Sequence, residues 1–272
     1  MNTAHPSAAA TPSPAERSAR QAAVVQALSH AVPAHALLWN AEDTTPYECD
    51  GLTAYRQRPL VVVLPETHDQ VQAVLQTCHR LGVPVVARGA GTGLSGGAMP
   101  NAMGVTLSLA KFNQILHIDP VGRTAVVQCG VRNLAISEAA APYGLYYAPD
   151  PSSQIACTIG GNVAENSGGV HCLKYGLTLH NVLQVQGFTA EGEAITFGSQ
   201  ALDAPGYDLL AAIIGSEGML AVVTQVTVRL IPQPQLARCI MASFDDVRKA
   251  GAAVADVIAA GIIPAGLEMM DK

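Results

Sequence analysis

The sequence is poor in charged and aromatic side chains. Only 13% of its 272 residues are charged and 4% are aromatic, and tryptophan occurs once, as Trp39. The formal net charge is -6, and the arginines and lysines are scattered with no basic cluster beside aromatic residues. Because a nucleic-acid surface needs clustered positive charge, this composition argues against nucleic acid as a partner.

Long apolar runs and paired cysteines are missing too. No run approaches the length of about 18 residues that a membrane span needs. The six cysteines form no Cys-x-x-Cys pair and no zinc-like spacing, which predicts reduced, mostly buried thiols and no metal site. The first twenty residues, rich in Ala, Pro and Ser, predict a disordered tail and not a signal peptide. Ala22, Val25 and Leu28 are at helical spacing and predict a helix over residues 15–30. The expected location is the cytoplasm.

What is present is a large apolar content, 49% of the residues, with clear periodicity after residue 58. The apolar, β-branched run from Leu60 to Leu64 predicts a buried strand. The spacing of Thr67 and Gln70 predicts a capping box at the start of an amphipathic helix. Gly82 ends this helix, and residues 83–87 predict a second strand. This is a β-α-β unit, so its two strands should be parallel.

The chain then changes to short strands and few helices. Alternating apolar residues from Leu220 to Leu230 predict a long, half-buried strand. This mixture favours an α+β fold over a doubly wound sheet. The remaining predicted strands are 104–108, 114–118, 123–129, 181–187 and 193–197, and the predicted helices are 131–141 and 207–214.

A new unit is predicted to start after Pro234. Residues 237–243 are strand-like, and Ser243 to Asp246 caps an amphipathic helix that ends near Gly261. One strand and one helix cannot bury their apolar faces alone, so this unit is expected to be incomplete. The sequence therefore divides into a tail and helical segment (1–57), a main domain (58–234) and the beginning of a second domain (235–272).

The stretch RGAGTGLSGGAMP, residues 88–100, contains five glycines. Gly91, Gly93 and Gly96 match the G-x-G-x-x-G pattern of nicotinamide-dinucleotide sites. That site needs a helix after the third glycine, and Pro100 with the neighbouring glycines forbids one here. The sequence instead predicts a loop whose backbone N–H groups hold a pyrophosphate.

Three polar side chains in this loop support the prediction. Thr92 and Ser95 add hydroxyl donors, and Arg88 adds a positive charge. Two further stretches, 148–169 and 215–218, are rich in small residues and neutral donors. Three such loops exceed what one phosphate requires, and they suit a large cofactor with several parts.

Together these stretches resemble the flavin-linked D-2-hydroxy acid dehydrogenases, relatives of vanillyl-alcohol oxidase that share its FAD-binding domain. Within this family the likeness is to the flavin-binding subunits of bacterial glycolate oxidases. The matching motifs are RGAGTGLSGG, YYAPDPSSQIACTIGGNVAENSGGVHCLKYG and GSEGMLAVVTQVTV, in this order between Arg58 and Lys272.

The resemblance implies an FAD-binding domain of two α+β subdomains with FAD between them, followed by the start of a cap domain. It implies that the glycine-rich loop holds the pyrophosphate, residues 149–153 approach the isoalloxazine or ribityl group, and residues near 217 contact the adenosine. The implied FAD-binding residues are Arg88, Gly89, Gly91, Thr92, Gly93, Ser95, Gly96, Pro149, Asp150, Ser152, Ser153, Thr158, Gly160, Gly161, Asn162, Ser167, Gly168, Glu217, Gly218 and Val222.

Two positions depart from the family pattern. Relatives with covalently attached flavin carry a histidine where this chain has Thr92, so non-covalent FAD is expected. Ala221 replaces a usual glycine, which weakens the assignment of the adenine contact slightly.

The implied reaction is oxidation of a small 2-hydroxy acid, such as glycolate or D-lactate, to the 2-oxo acid by hydride transfer to flavin N5. The family's metal ligands, catalytic base and carboxylate-binding arginine are expected beyond Lys272, so the catalytic residues are unknown here. Implied partners are other glycolate oxidase subunits, including an iron–sulfur protein, through which the protein would attach to the inner membrane.

Alternatives stay open at this point. The chain could be a flavin-binding module whose substrate half belongs to a separate protein, or an enolpyruvyl reductase using NADPH, against which the motif at residues 149–169 argues. His171 could act as a base, although a hydrogen-bonding role is favoured. Asp150, Lys174 and Tyr175 are either cofactor contacts or loop anchors.

Overall fold

The computed structural model describes residues 13–201 and 205–270. Single turns of 3-10 helix lie at Ala34–Ala36, Thr45–Tyr47 and Ala141–Tyr143. The helices are α1 (Pro14–Leu28), α2 (Ala41–Thr44), α3 (His68–Arg80), α4 (Asn133–Ala140), α5 (Ile159–Glu165), α6 (Cys172–Tyr175), α7 (Thr178–Asn181), α8 (Leu209–Ile213) and α9 (Val247–Ala259). The strands are β1 (Leu37–Leu38), β2 (Val61–Val63), β3 (Val85–Arg88), β4 (Val105–Ser108), β5 (Ile115–Asp119), β6 (Thr124–Gln128), β7 (Leu145–Tyr146), β8 (Val182–Phe188), β9 (Ala194–Gly198), β10 (Val222–Arg229) and β11 (Ile231–Pro232).

A four-stranded sheet in the order β1-β2-β4-β3 forms the first subdomain. Strands β2 and β3 both run parallel to β4, which lies between them, and α3 makes the crossover. The predicted β-α-β unit is therefore confirmed, with β4 inserted between its two strands. Thr67 caps α3 by accepting a hydrogen bond from the backbone N–H of Gln70, whose side chain bonds the N–H of Glu66 instead of completing a capping box.

A five-stranded antiparallel sheet in the order β5-β6-β10-β8-β9 forms the second subdomain, and β11 pairs with β7 beside it. The long strand β10 is the middle strand of this sheet, and its inward side chains, such as Val226 and Val228, are fully buried. One hydrophobic cluster forms the core of the first subdomain, and a second, separate cluster contains Val226 and Val228. The α+β prediction, with two subdomains, is confirmed.

The helix predicted at residues 15–30 is confirmed as α1, whereas the predicted disordered tail is wrong for residues 14–20, which belong to this helix. Residues 1–12 lie outside the described part of the chain. Ser13 and Glu16 form a capping box that starts α1. Val24 and Leu28 are buried against the first sheet, and Arg17 donates hydrogen bonds to main-chain carbonyls beside that sheet. The buried face of α1 thus contributes to the core of the first subdomain.

The C-terminal segment differs from the rest. The predicted strand at 237–243 is wrong, because these residues form no strand and pair with none in the described ranges. Helix α9 forms as predicted, capped by Asp246, yet none of its residues is buried. In residues 13–201 and 205–270, no helix has both the length and the apolar character that crossing a bilayer would require.

Candidate functional site

A cleft that is open to solvent at its mouth lies between the two sheets, and its empty space, counted together with the adjoining solvent, is about 1070 Å³. Its first wall is the loop after β3, at the carboxyl end of the parallel strands, where α/β folds usually place ligands. Its second wall is formed by α5 with the residues around it, by the turn at 215–218 and by the start of β10.

The loop after β3 offers unpaired donors. No backbone N–H from Gly89 to Ala98 donates a hydrogen bond to any residue within the described ranges. Gly91 and Gly96 adopt positive φ values of 72° and 83°, which bend the chain without a side-chain clash. As the sequence predicted, no helix follows, so the loop presents a series of free N–H groups to a polar ligand.

Arg88 lies beneath this loop. A Cβ atom built on Gly91 would collide with the Arg88 guanidinium, so that glycine lets the loop close over the cation. The guanidinium donates a 2.8 Å hydrogen bond to the carbonyl of Cys49 and lies 5.6 Å from the centre of the Tyr47 ring. Burial lowers the pKa of Arg88, and nearby Asp50 opposes that shift. The side chain keeps its charge, because arginine does not deprotonate in proteins.

Two buried polar atoms at the cleft have no protein partner within the described ranges, Thr158 Oγ1 and Asp50 Oδ2. Both residues line the cleft. An unpaired buried hydroxyl or carboxylate oxygen is costly, so such atoms commonly meet a ligand or an ordered water. Asp50 lies outside the predicted motifs, and no pattern in the sequence pointed to it.

Helix α5 lies inside the stretch 148–169, for which the sequence predicted only a loop. It runs beside the loop after β3: its cap Thr158 touches Gly89, and its last residue Glu165 reaches Ser95. Gly160 is required because a Cβ there would lie 2.8 Å from the Cβ of Cys129. The two glycines at its start hid this helix, since glycine is a poor helix former.

A chain of amides fixes the far side of α5. Asn162 Nδ2 donates to Asn133 Oδ1 at 2.8 Å, and Asn133 Nδ2 donates to the carbonyl of Pro149 at 2.9 Å. Asn133 and Asn162 are both buried. This pair holds the loop that begins at Pro149 against the helix, and Asn133 was not predicted from the sequence.

Two carboxylates lie at the other end of the cleft. Ser95 Oγ donates to Glu165, at 3.0 and 3.2 Å from its two oxygens. A Cβ on Gly97 would lie 3.1 Å from Glu165 Oε1 and 3.8 Å from Glu217 Oε2. Glu217 has φ +53°, a conformation uncommon outside glycine, and its N–H bonds the carbonyl of Ala164. Neither carboxylate forms an ion pair with a described residue.

The cleft brings together most of the site residues predicted from the sequence. Those that line it are Arg88, Gly89, Gly91, Thr92, Gly93, Ser153, Thr158, Gly160, Gly161, Asn162, Ser167, Glu217, Gly218 and Val222. Six predicted residues do not line it, although all are near in sequence to residues that do: Ser95, Gly96, Pro149, Asp150, Ser152 and Gly168.

Asp150 and His171 form a pair outside the cleft lining. His171 Nδ1 lies 2.6 Å from Asp150 Oδ2, and the backbone N–H of His171 donates to the other carboxylate oxygen at 3.2 Å. Gly169 allows this approach, because a Cβ there would overlap Asp150. Tyr175 lies beside the His171 ring. The pKa of Tyr146 is raised, mainly by burial and to a smaller extent by a hydrogen bond to Tyr175. The pair anchors one loop to the next.

Two sequence families match the chain. One, described as FAD binding domain, matches residues 59–198, which are 140 of the 272 residues. The other, described as FAD linked oxidases, C-terminal domain, matches residues 233–272.

Curated relatives extend the match. Glycolate oxidase subunit GlcD of Escherichia coli strain K12 is 66% identical over 92% of this chain and 50% of its own length. The subunit of the same name from Bacillus subtilis is 42% identical over 83% of this chain and 48% of its own length. A D-lactate dehydrogenase of Archaeoglobus fulgidus is 38% identical over 78% of this chain and 47% of its own length. The chain thus spans about half the length of these relatives.

Solved structures support the fold alone. An alkyldihydroxyacetonephosphate synthase superposes with a TM-score of 0.77 at 21% identity, covering 90% of this chain and 47% of that one. A variant of Phl p 4, described as a glucose oxidase, superposes with a TM-score of 0.66 at 20% identity, covering 78% of this chain and 44% of that one.

Proposed function

The chain belongs to the FAD binding domain family, and from that membership we propose that it is the flavin-binding portion of an oxidoreductase for small 2-hydroxy acids. Glycolate or D-lactate would be oxidised to the corresponding 2-oxo acid. The observation that carries the proposal is the 66% identity to the E. coli glycolate oxidase subunit, which extends over 92% of this chain. The similarity to a D-lactate dehydrogenase supports the same substrate class.

FAD is the cofactor of this domain, and the residues of the cleft fit it. A pyrophosphate only accepts hydrogen bonds, which suits the unpaired N–H groups from Gly89 to Ala98. Leu109, Cys129 and Cys157 give the cleft an apolar part that suits a flat ring system. When bound, the flavin supplies a hydride acceptor. The loop contains no histidine, which supports non-covalent attachment.

The chain's own residues bind and orient the cofactor, and we propose that the acid is held by other groups. Arg88 is the one basic side chain among the described residues that line the cleft, and it is turned beneath the loop toward Cys49. A substrate carboxylate needs an accessible cation, and its hydroxyl proton needs a base. We propose a flavin-binding domain at 58–234 and the start of a cap domain at 235–272, and the family match from residue 233 supports this division.

A second candidate is a flavin-binding module whose substrate half belongs to a separate protein. It is favoured by the exposed apolar side chains before α9, with Ile240 and Met241 more than nine-tenths exposed. Because two relatives are named as subunits, we also propose partner subunits, including an iron–sulfur protein that takes up electrons. Attachment to the inner membrane would come from these partners.

The visible absorption of the purified chain tests the cofactor assignment. We expect oxidised-flavin bands that disappear in Gly93→Val, because the new side chain would project into the cleft between the loop and Glu165, where FAD is expected. Gly93 is suited to this test, since its φ is not positive and the nearest atom to an added Cβ is 3.7 Å away, on Glu165. The control is Gly251→Val in α9, where nothing lies within 4 Å. A folded chain that stays colourless after incubation with FAD would contradict the proposal.

Turnover measurements test whether the substrate-binding groups lie outside these 272 residues. With glycolate or D-lactate and a dye acceptor, we expect the flavin-loaded chain to show no activity by itself. Rapid dye reduction by the 272 residues would show that the substrate-binding groups are already present.

A further inference from the structure

We propose that Glu165 binds the ribose hydroxyls of the adenosine half of FAD, so that the loop after β3 holds pyrophosphate at its Arg88 end and ribose at its Gly97 end. This inference rests on the proposed function, because it requires that FAD occupy the cleft. Ser95, which the sequence assigned to the pyrophosphate, would then lie beside the ribose.

The two ends of the loop differ in charge. Beneath Gly91 lies the Arg88 guanidinium, and no carboxylate other than Asp50 is close to it. At Gly97 lie the carboxylates of Glu165 and Glu217, which form no ion pair with a described residue. The first end thus has one cation and one carboxylate, and the second has two carboxylates and no cation among the described residues that line the cleft, so a doubly charged pyrophosphate is favoured at the first end.

Hydrogen-bond type gives the same division. An ionised carboxylate can only accept hydrogen bonds, and so can a pyrophosphate oxygen, so the two cannot pair. Hydroxyl groups donate, as Ser95 Oγ does to both oxygens of Glu165. The chemical groups of FAD that complement Glu165 are therefore its hydroxyls, and a carboxylate on a ribose diol is a frequent arrangement in dinucleotide sites.

Helix α5 decides which hydroxyls these are. Thr158 contacts Gly89 at one end of the helix, and Glu165 contacts Ser95 at the other, about 10 Å away at 1.5 Å per residue. The cleft has apolar lining at both ends: Cys129 and Cys157 lie at the Thr158 end and suit the isoalloxazine, while Ile213 and Ala221 lie beside the turn at 215–218 and suit the adenine. If the ring occupied the Thr158 end and the N–H groups of Gly89 to Thr92 held the pyrophosphate, Glu165 would face the adenosine ribose and not the ribityl chain.

The backbone supports a binding role for this end of the cleft. Glu217 holds a left-handed conformation, φ +53°, and Gly215 before it has φ +87°. Their N–H groups bond the carbonyls of Ala164 and Val163 on α5. Strain of this kind persists where the surrounding structure fixes it, and it is common in ligand-binding turns. The turn at 215–218 is thus fixed to the same helix end that presents Glu165.

The test compares two ligands in two proteins. The ligands are ADP and 2′,3′-dideoxy-ADP, competed against FAD by flavin fluorescence. The proteins are the unaltered chain and Glu165→Gln, which removes the charge but keeps the side-chain size. The unaltered chain should prefer ADP by roughly tenfold or more, as expected for two hydroxyls that donate to a charged group. In Glu165→Gln this preference should fall to about twofold or less, and FAD should bind roughly tenfold more weakly. Glu191→Gln, at an exposed turn between β8 and β9, is the matched control.

Three results would overturn the inference. Equal weakening of ADP and dideoxy-ADP would show that Glu165 only fixes the loop through Ser95. Tighter FAD binding by Glu165→Gln would place the carboxylate beside the pyrophosphate. Unchanged binding would remove Glu165 from the site. Failure of the unaltered chain to bind FAD would instead contradict the proposed function.

Discussion

Helices α3 and α9 have the same length, 13 residues, and the same design, yet they differ in burial. Both are amphipathic, and both begin at a side chain that accepts a hydrogen bond from the first turn, Thr67 in α3 and Asp246 in α9. Five residues of α3 are buried in the first subdomain, whereas none of α9 is buried. An amphipathic sequence therefore specifies which face will pack, but a complementary surface must be present for burial to occur.

The same contrast holds for the extended segments near each helix. Strand β2 is completely buried between β1 and β4, whereas residues 237–243 have a strand-like sequence and pair with no described strand. Leu236, Ile240 and Met241 are 68%, 92% and 93% exposed. Since strand propensity mainly reflects packing on a pleated surface, this segment has the composition of a strand without the neighbour that would make it one.

Thiol reactivity should show the largest difference between the two regions. Cys78 of α3 and Cys129 at the cleft are buried, and burial raises the pKa of each thiol to about 12, whereas Cys239 is exposed. At about pH 8, alkylation of Cys78 and Cys129 should be roughly a thousandfold slower than that of an ordinary exposed thiol. Mass spectrometry of iodoacetamide-treated native protein measures the order.

The control for this experiment is Cys239→Ser, which should remove the fastest phase and leave the others unchanged. Cys49 and Cys172 are partly exposed and should react at intermediate rates. Modification of Cys78 or Cys129 as fast as that of Cys239 would mean that the first subdomain opens as readily as the C-terminal segment.

A matched pair of substitutions tests packing directly. Val74→Ala in α3 removes a fully buried side chain and should lower the free energy of unfolding by about 2.5 kcal/mol. Val254→Ala in α9, where the side chain is 39% exposed, should change it by less than about 0.5 kcal/mol. Urea denaturation followed by circular dichroism measures both. If the two changes were equal, α9 would be packed against another part of the protein, which would contradict its exposure in the structure.

Local patterns predicted most of the secondary structure. The bounded apolar run at Leu60 to Leu64, the cap at Thr67 and the alternation from Leu220 to Leu230 each depend on neighbours in sequence, and each element formed. The absence of a helix after Gly96 was predicted from glycine and proline alone. Its physical basis is short-range, because it depends only on the conformations that these residues allow.

Long-range features of the site could not be predicted in this way. Helix α5 forms despite Gly160 and Gly161, and glycine is needed at position 160 because a side chain there would collide with Cys129, which follows β6. Asp50 lies at the cleft next to Cys49, whose carbonyl accepts a hydrogen bond from Arg88, 39 positions away in sequence. The contact of Ser95 with Glu165 joins residues 70 positions apart. Such contacts follow from how the two sheets face each other, which no short stretch encodes.

The helix caps should give the smallest effect and the finest comparison. Thr67 accepts from the N–H of Gln70 at 3.3 Å, and Asp246 accepts from the N–H of Arg248 at 2.8 Å. Thr67→Ala should lower global stability by about 1 kcal/mol, since α3 unfolds with the first subdomain. Asp246→Ala should leave global stability unchanged and only speed amide exchange in the first turn of α9, because that turn opens without disturbing a core.

Thr67→Ser and Asp246→Asn keep an acceptor oxygen and should behave like the unaltered chain. A global loss from Asp246→Ala equal to that from Thr67→Ala would mean that α9 unfolds together with the rest, and that its exposed face does not make it independent.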